Sequence, residues 1–258
     1  MGTTYAQGFV RSHMTRKEDL MLLERDAERA EVLRRSDLGQ VFSEASVCLP
    51  LADLVILAVK PQDSAVLFEA IRPMVDPQQL FLSIMAGVRM QTISEALGAK
   101  KIIRAMPNLP AQTGMGMTVY TGTDEVTRIE LVMVQNMLNT TGKAIYAERE
   151  DAIDAATAIS GSGPAYVFYF MQAMMRAATQ MGFTEGEAEQ LVSQTFRGAL
   201  DVFNKGDYSC AEWMQRVASR GGTTEAALRV FAEHRLHDSI VAGAQAALNR
   251  AIELGQPS

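Results

Sequence analysis

Apolar positions in the first half of the chain come in short unbroken runs. Asp19-Leu20-Met21-Leu22-Leu23, Leu51 to Val59, Leu80 to Met85 and Lys101 to Met106 each predict a strand. Runs that are almost wholly apolar suit strands covered by helices on both faces. Between them the spacing turns helical, over Thr3 to His13, Ala27 to Arg35 and Asp63 to Arg72. The later runs stop in small, Gly, Pro or Asn residues: Lys60-Pro61, Ala86-Gly87 and Pro107-Asn108-Leu109-Pro110. In an open parallel sheet the ligand crevice lies at such carboxyl ends. Two further strands, Gly116 to Thr121 and Lys143 to Ala147, flank a helix from Glu125 to Leu138. This alternation predicts a doubly wound α/β domain over residues 1–148.

Past Glu148 the strand-like runs vanish and helical spacing continues to Glu253, predicting an all-α domain over residues 149–258. The segments Gly163 to Met181 and Glu185 to Phe203 are apolar on most sides, with Phe168, Phe170, Met171, Met174 and Met175 among them. A helix apolar all round has to be buried. About a hundred residues form too small a core to do that alone, so a second copy of the chain is expected to cover it. A self-contained bundle is the alternative.

Composition narrows the class. With 258 residues, 48% of them hydrophobic, the chain can build one large core or two modest ones. A net charge of −6 without a basic block argues against nucleic acid or an anionic membrane as partner. Cys48 and Cys210 lie far apart, in no metal or redox spacing, which suits a reducing compartment. The start carries no export or lipidation signal and no apolar run is long enough to span a bilayer, so a cytoplasmic protein is expected. His13, His234 and His237 fall on predicted helices outside every motif, and no metal is expected.

Ser219-Arg220-Gly221-Gly222-Thr223-Thr224 places two glycines and three hydroxyls between two helical segments. One reading is a glycine stop followed by a Thr N-cap. The other is a small anion and imine pocket, where glycine lets the backbone approach a ligand and a helix start offers outward N–H groups.

Four strings in order, Val59-Lys60-Pro61-Gln62, Arg104 to Ala111, Ser160-Gly161-Ser162-Gly163-Pro164-Ala165-Tyr166 and Gly221-Gly222-Thr223-Thr224, resemble pyrroline-5-carboxylate reductases from about Gly2 to Glu253. The resemblance implies an N-terminal Rossmann domain and a C-terminal helical dimerisation domain. It also implies an enzyme that makes proline by NAD(P)H-dependent reduction of a cyclic imine. Substrate and cofactor would meet in a cleft between the domains. By resemblance Thr224 is the partner of the ring nitrogen, Gly222 and Thr223 offer backbone amides to the substrate carboxylate, Gly221 is a further substrate-binding residue of the loop, and Ser219 braces it. Gly2, Ala58, Val59, Lys60, Pro61, Ala86, Gly87, Met106 and Asn108 match dinucleotide-contacting positions. Independently of family, hydride addition to a C=N carbon is chiefly a positioning task, with the reacting atoms about 3–3.5 Å apart. A protonated imine needs no strong acid.

Glu24 stands where a carboxylate grips a ribose 2′-hydroxyl, which favours NADH. Arg25 beside it is what a 2′-phosphate would want, and the family commonly uses NADPH. The expectation is NADPH first, with NADH open.

The chain departs from the family's pattern at its front, where an apolar strand should run into a Gly-x-Gly-x-x-Gly turn and only Met1-Gly2 matches. In the order 3-2-1-4-5-6 that first strand is central. Either the true start lies upstream, or the chain binds cofactor poorly. Arg220 replaces a usual Pro, and Glu233-His234-Arg235-Leu236 replaces a glycine-rich stretch. Two other readings follow: a truncated, inert dimerising paralogue that binds pyrroline or proline, and a different imine or β-hydroxyacid reductase. The latter generally need a Lys from the helical domain, and no Lys follows Lys205.

Overall fold

The computed structural model describes residues 1–255. They divide into two compact units, Met1–Pro164 with the segment from Ala247 onward, and Ala165–Ala246.

The first unit contains seven strands: β1 (Met21–Leu23), β2 (Gln40–Phe42), β3 (Leu54–Leu57), β4 (Leu80–Ser83), β5 (Ile102–Met106), β6 (Gly116–Gly122) and β7 (Gly142–Tyr146). Its helices are α1 (Gly2–Arg11), α2 (Ala27–Ser36), α3 (Ala45–Cys48), α4 (Ser64–Ile71), α5 (Met90–Leu97), α6 (Arg128–Asn139) and α7 (Asp151–Ala156). A π-helical turn, Thr157–Gly161, follows α7 directly.

Residues of β4 alternate between two cores, as the two-residue period of a strand requires. Leu80, Leu82 and Ile84 pack with Tyr5 and Phe9 of α1 and Val134 and Leu138 of α6. Phe81 and Met85 face Phe68 and Ile71 of α4 and Ile93 and Leu97 of α5. Helices therefore cover both faces of the sheet, and all four residues of β4 are buried. This is the doubly wound α/β layout that the apolar runs predict.

The strands form two pieces, a β1-β2 pair and a five-stranded sheet ordered β3-β4-β5-β6-β7. The break falls between β1 and β3, where the 3-2-1-4-5-6 order has its first strand. The strand expected from Leu51 to Val59 is only four residues long. Its first turn is 3-10 helical over Leu49–Leu51, and β3 is an edge strand, mostly half-buried. β2 goes unanticipated, being three residues long.

β6 runs antiparallel to β5, while the other pairs are parallel. The link Leu109–Thr113 is a single short 3-10 helix. The whole connection, Pro107 to Met115, is shorter than the dozen or more residues that a parallel crossover needs, so the chain has to turn back.

The second unit is helical, consistent with the all-α expectation. It is built from the greater parts of α8 (Gly163–Gln180) and α12 (Leu236–Leu254), with α9 (Glu185–Lys205), α10 (Cys210–Val217) and α11 (Thr223–Glu233) between them. Two helices begin with complete capping boxes. Thr184 and Glu187 close α9, Ser209 and Glu212 close α10, and in each the hydroxyl and the carboxylate exchange hydrogen bonds with the first-turn amides. Thr127 and Glu130 do the same for α6 in the first unit. His13 lies just past α1 with φ +56°, outside the helix expected to hold it. His234 caps the end of α11, and Arg235 takes the left-handed conformation, φ +51°, that a glycine would enter more easily.

Candidate functional site

In the second unit the chain leaves α10 at Ala218, which is extended, so the glycine-stop reading of the loop does not hold. The loop closes on itself: Gly222 N–H donates to Ser219 O at 2.9 Å, with Gly221 between them at φ +73°. A Cβ at Gly222 would stand 2.5 Å from Ser219 Oγ. Gly221 supplies the positive φ of the turn, and at Gly222 a Cβ would also crowd Ser219 O at 3.0 Å. The N-cap of α11 is Gly222, not a threonine, and no side chain accepts from the first-turn amides.

Gly222 therefore has its amide committed to Ser219, which removes it as a donor to a ligand. The Thr223 and Thr224 amides remain, since the first N–H groups of a helix have no intrahelical partner. They point along the positive end of the helix dipole, where an anion is stabilised. Thr224 brings its hydroxyl to the same turn. Glu225, third in the helix, passes over the N-cap and accepts the Gly221 N–H through Oε2 at 2.5 Å. Glu225 lies outside the loop motif, although a Glu at the third helical position is a usual sign of a reach-back contact.

In the first unit β3, β4 and β5 run parallel, so their carboxyl ends lie along one edge of the sheet. Ala58 to Pro61, Ala86 to Gly87, and Met106 with Asn108 follow these three ends. The start of α1 comes to the same edge, because a Cβ at Gly2 would lie 3.0 Å from Ala58 Cβ. α1 begins with no side-chain cap. An uncapped helix start beside strand ends suits the pyrophosphate of a dinucleotide, so the residues present fit such a group.

Glu24 and Arg25 follow β1, in the two-stranded piece. The Glu24 carboxylate accepts from the Asp26 N–H at 3.0 Å.

Two of the named positions carry structural duties. Asn108 donates Nδ2–H to Ser160 O at 3.0 Å and accepts from the Met117 N–H at 2.8 Å, so both ends of its amide hold the π turn and the start of β6. Gly87 is buried at φ +74°, and a Cβ there would stand 3.0 Å from Leu254 Cβ and 3.1 Å from Leu254 O. The last turn of α12 covers it.

Two surface hollows lie along α8, α9 and the turn between them, lined by Phe183, Glu187 and Leu191 in one and by Tyr169, Met175 and Glu189 in the other. None of the residues above lines either. Among the described residues no cluster of His, Cys, Asp or Glu is arranged to hold a metal ion.

A parallel-dominated sheet wrapped by helices on both faces, followed by a helical part, defines a Rossmann-like α/β protein with an appended all-α domain. Residues 1–87 match the family described as NADP oxidoreductase, coenzyme F420-dependent, and residues 150–254 match pyrroline-5-carboxylate reductase dimerisation. The chain is 31% identical over 256 residues to pyrroline-5-carboxylate reductase 2 of Bacillus subtilis, covering 98% of this chain and 91% of that one. It is 34% identical over 230 residues to the Pseudomonas aeruginosa enzyme, covering 89% and 84%. The solved Coxiella burnetii pyrroline-5-carboxylate reductase superposes with a TM-score of 0.90 at 29% identity, over 99% of this chain and 95% of that one. The Plasmodium falciparum pyrroline carboxylate reductase, solved with NADP bound, gives 0.89 at 25% identity over the same shares. The chain belongs to the pyrroline-5-carboxylate reductase family.

Proposed function

We propose that the protein reduces 1-pyrroline-5-carboxylate to L-proline with a nicotinamide dinucleotide as hydride donor. The observation that carries this reading is the start of α11, where a glycine turn presents the Thr223 and Thr224 amides without a capping side chain. The substrate carboxylate is held there by those two amides and the helix dipole. Thr224 Oγ accepts the hydrogen bond of the protonated ring nitrogen, keeping the C=N bond polarised toward hydride attack. Ser219 keeps the glycine turn closed through its carbonyl, and Gly221 and Gly222 supply the turn's geometry.

NADP(H), the group bound in the Plasmodium relative, supplies the hydride when present. The start of α1 at Gly2, the segment Ala58-Val59-Lys60-Pro61, Ala86-Gly87 and Met106 to Asn108 would hold it. Glu24 and Arg25 would decide between ribose hydroxyl and 2′-phosphate, with NADPH the expected donor and NADH the alternative. The dinucleotide-binding part is residues 1–148, and the helical part, 149–258, carries the substrate loop and the contact between two copies of the chain. Two free cysteines, Cys48 buried and Cys210 exposed, support a reducing, cytoplasmic setting. Among the described residues no helix is long and apolar enough to cross a membrane.

The test is oxidation of NADPH and of NADH in the presence of 1-pyrroline-5-carboxylate. It is run on the chain and on a form extended at its N-terminus by an apolar strand and a glycine turn. Turnover by either supports the reading, and turnover by neither overturns it. Thr224→Ala is expected to lower kcat/KM about ten- to a hundredfold, the worth of a hydrogen bond to a charged group, with the oligomer intact in sedimentation. Dissociation of that variant would make the loop structural instead.

A further inference from the structure

The least expected group in the first unit is Arg104, in the middle of an apolar strand. It is fully buried, and Ser83 is its register partner on β4. Its Nη1–H donates to Glu150 Oε1 at 3.0 Å and its Nη2–H to Asp154 Oδ1 at 2.7 Å, with side-chain exposures of 1% for Arg104 and 2% for Asp154. Nε is buried without a partner. Buried ion pairs are poor stabilisers, since desolvation offsets most of their attraction, and an apolar trio of similar volume often serves as well. A cluster retained at that cost calls for a positional reason.

The two carboxylates are shared with one other short segment. Glu150 Oε1 also accepts the Met90 N–H, the first amide of α5, at 2.8 Å. Asp154 Oδ2 takes Arg89 Nη2–H at 3.3 Å, and Arg89 Nη1 reaches Asp151 at 3.4 Å. Arg89 and Met90 are the far foot of the turn that leaves β4 through Ala86 and Gly87. The near foot is fixed by the Ile84 N–H on Leu57 O, 3.0 Å, and the Met85 N–H on Ser83 Oγ, 3.4 Å. Arg104 thus anchors, through two carboxylates some fifty residues away in sequence, the open end of the Ala86–Gly87 turn.

We propose that Arg104 is a positioning residue of the dinucleotide site, acting through Glu150 and Asp154 on Arg89 and Met90 to fix the Ala86–Gly87 turn. This rests on reading that turn as a dinucleotide contact. The test compares wild type with Arg89→Gln, which cuts only the half-exposed limb and leaves the buried pair in place, and with Arg104→Lys, which keeps the charge but not the fork. NADPH affinity is measured by fluorescence titration, KM for both substrates by steady-state rates, and exchange of the Met90 amide by hydrogen–deuterium methods.

Arg89→Gln is expected to weaken NADPH about two- to fivefold and Arg104→Lys about tenfold or more, with the KM for the imino acid within twofold of wild type. Equal movement of both KM values, or no movement in the NADPH constant, overturns the proposal. If wild type binds no dinucleotide, the site reading fails and the Met90 amide decides the rest. Faster exchange in Arg104→Lys supports the positional role, and unchanged exchange overturns it.

Discussion

Gly221 gives its backbone N–H to the carboxylate of Glu225, four residues on and one turn inside α11. In the three complete capping boxes the corresponding Glu takes the amide of the N-cap itself, at 2.7–2.8 Å. Here the N-cap amide belongs to Ser219, so Glu225 braces the turn while its charge sits at a helix start proposed to hold another carboxylate. These two effects have opposite signs. Glu225→Gln keeps an acceptor and removes the charge, and is expected to lower the KM for the imino acid about two- to fivefold, the worth of one charge at a helix terminus. Glu225→Ala removes the brace as well and is expected to raise it. Steady-state rates with varied imino acid at saturating NADPH decide it, and a shift of both variants in the same direction would show that Glu225 acts in only one of these ways.

Most of the α/β layer is legible in the chain because β4 and, apart from Arg104, β5 are almost wholly apolar, which few other structures require. The antiparallel return of β6 is not, since it depends on the shortness of Leu109–Thr113 and not on any property of the strands. β2 escapes because Gln40-Val41-Phe42 is too short for a period to appear. In the loop before α11 the paired glycines advertise a turn, but which amides it consumes depends on the Ser219 carbonyl, which no residue type encodes. Arg104 offers a signal that the apolar pattern hides, a charge in the middle of a buried run, which demands partners. Those partners, Glu150 and Asp154, lie 46 and 50 residues on. Only the fold brings them together.

Acid should loosen the helical unit first at its capping boxes. The backbone N–H of Thr184 holds the Glu187 carboxyl below its ordinary range, and the Ser209 hydroxyl does the same for Glu212. A carboxyl whose folded pKa lies below its unfolded value of about 4.5 stabilises the fold fully above that value and loses its contribution as pH falls through the lower folded one. Thermal midpoints followed by circular dichroism should therefore fall below about pH 4.5. Glu187→Gln with Glu212→Gln keeps the reach-back hydrogen bonds without a titrating group. That double variant should show a shallower fall over the same range, and an identical slope would place the acid sensitivity elsewhere.

Gly87 is constrained twice, by its positive φ and by the cover of Leu254. Gly87→Ala should cost about 1–2 kcal/mol for the left-handed conformation alone, before any displacement of α12. Adding Leu254→Gly, which removes the facing Cβ, cannot recover that part, because the Leu254 carbonyl and the conformation both remain. The expected outcome is a single cooperative melt, shifted down by several degrees in Gly87→Ala and not restored in the double variant. Full restoration would mean that packing against the side chain, not the backbone conformation, sets the requirement for glycine.

The apolar faces of α8 and α9 give the last prediction. Phe168 and Leu200 are each 57% exposed in the single chain, and Tyr169, Leu191, Val202 and Phe203 are exposed as well. Burying one such side chain is worth about 1.5–3 kcal/mol, so two matching faces hold enough apolar area to drive association of two copies. Leu200→Glu places a charge where a partner would exclude water, and its cost falls only on the assembled state, because the residue is exposed in the single chain. Sedimentation equilibrium should then show a homo-oligomer for the unaltered chain and a lower mass for Leu200→Glu and Phe168→Glu, with helical content unchanged. A single-chain mass for the unaltered protein would mean that these faces stay open to water, and an unchanged oligomer in both variants would move the interface off this surface.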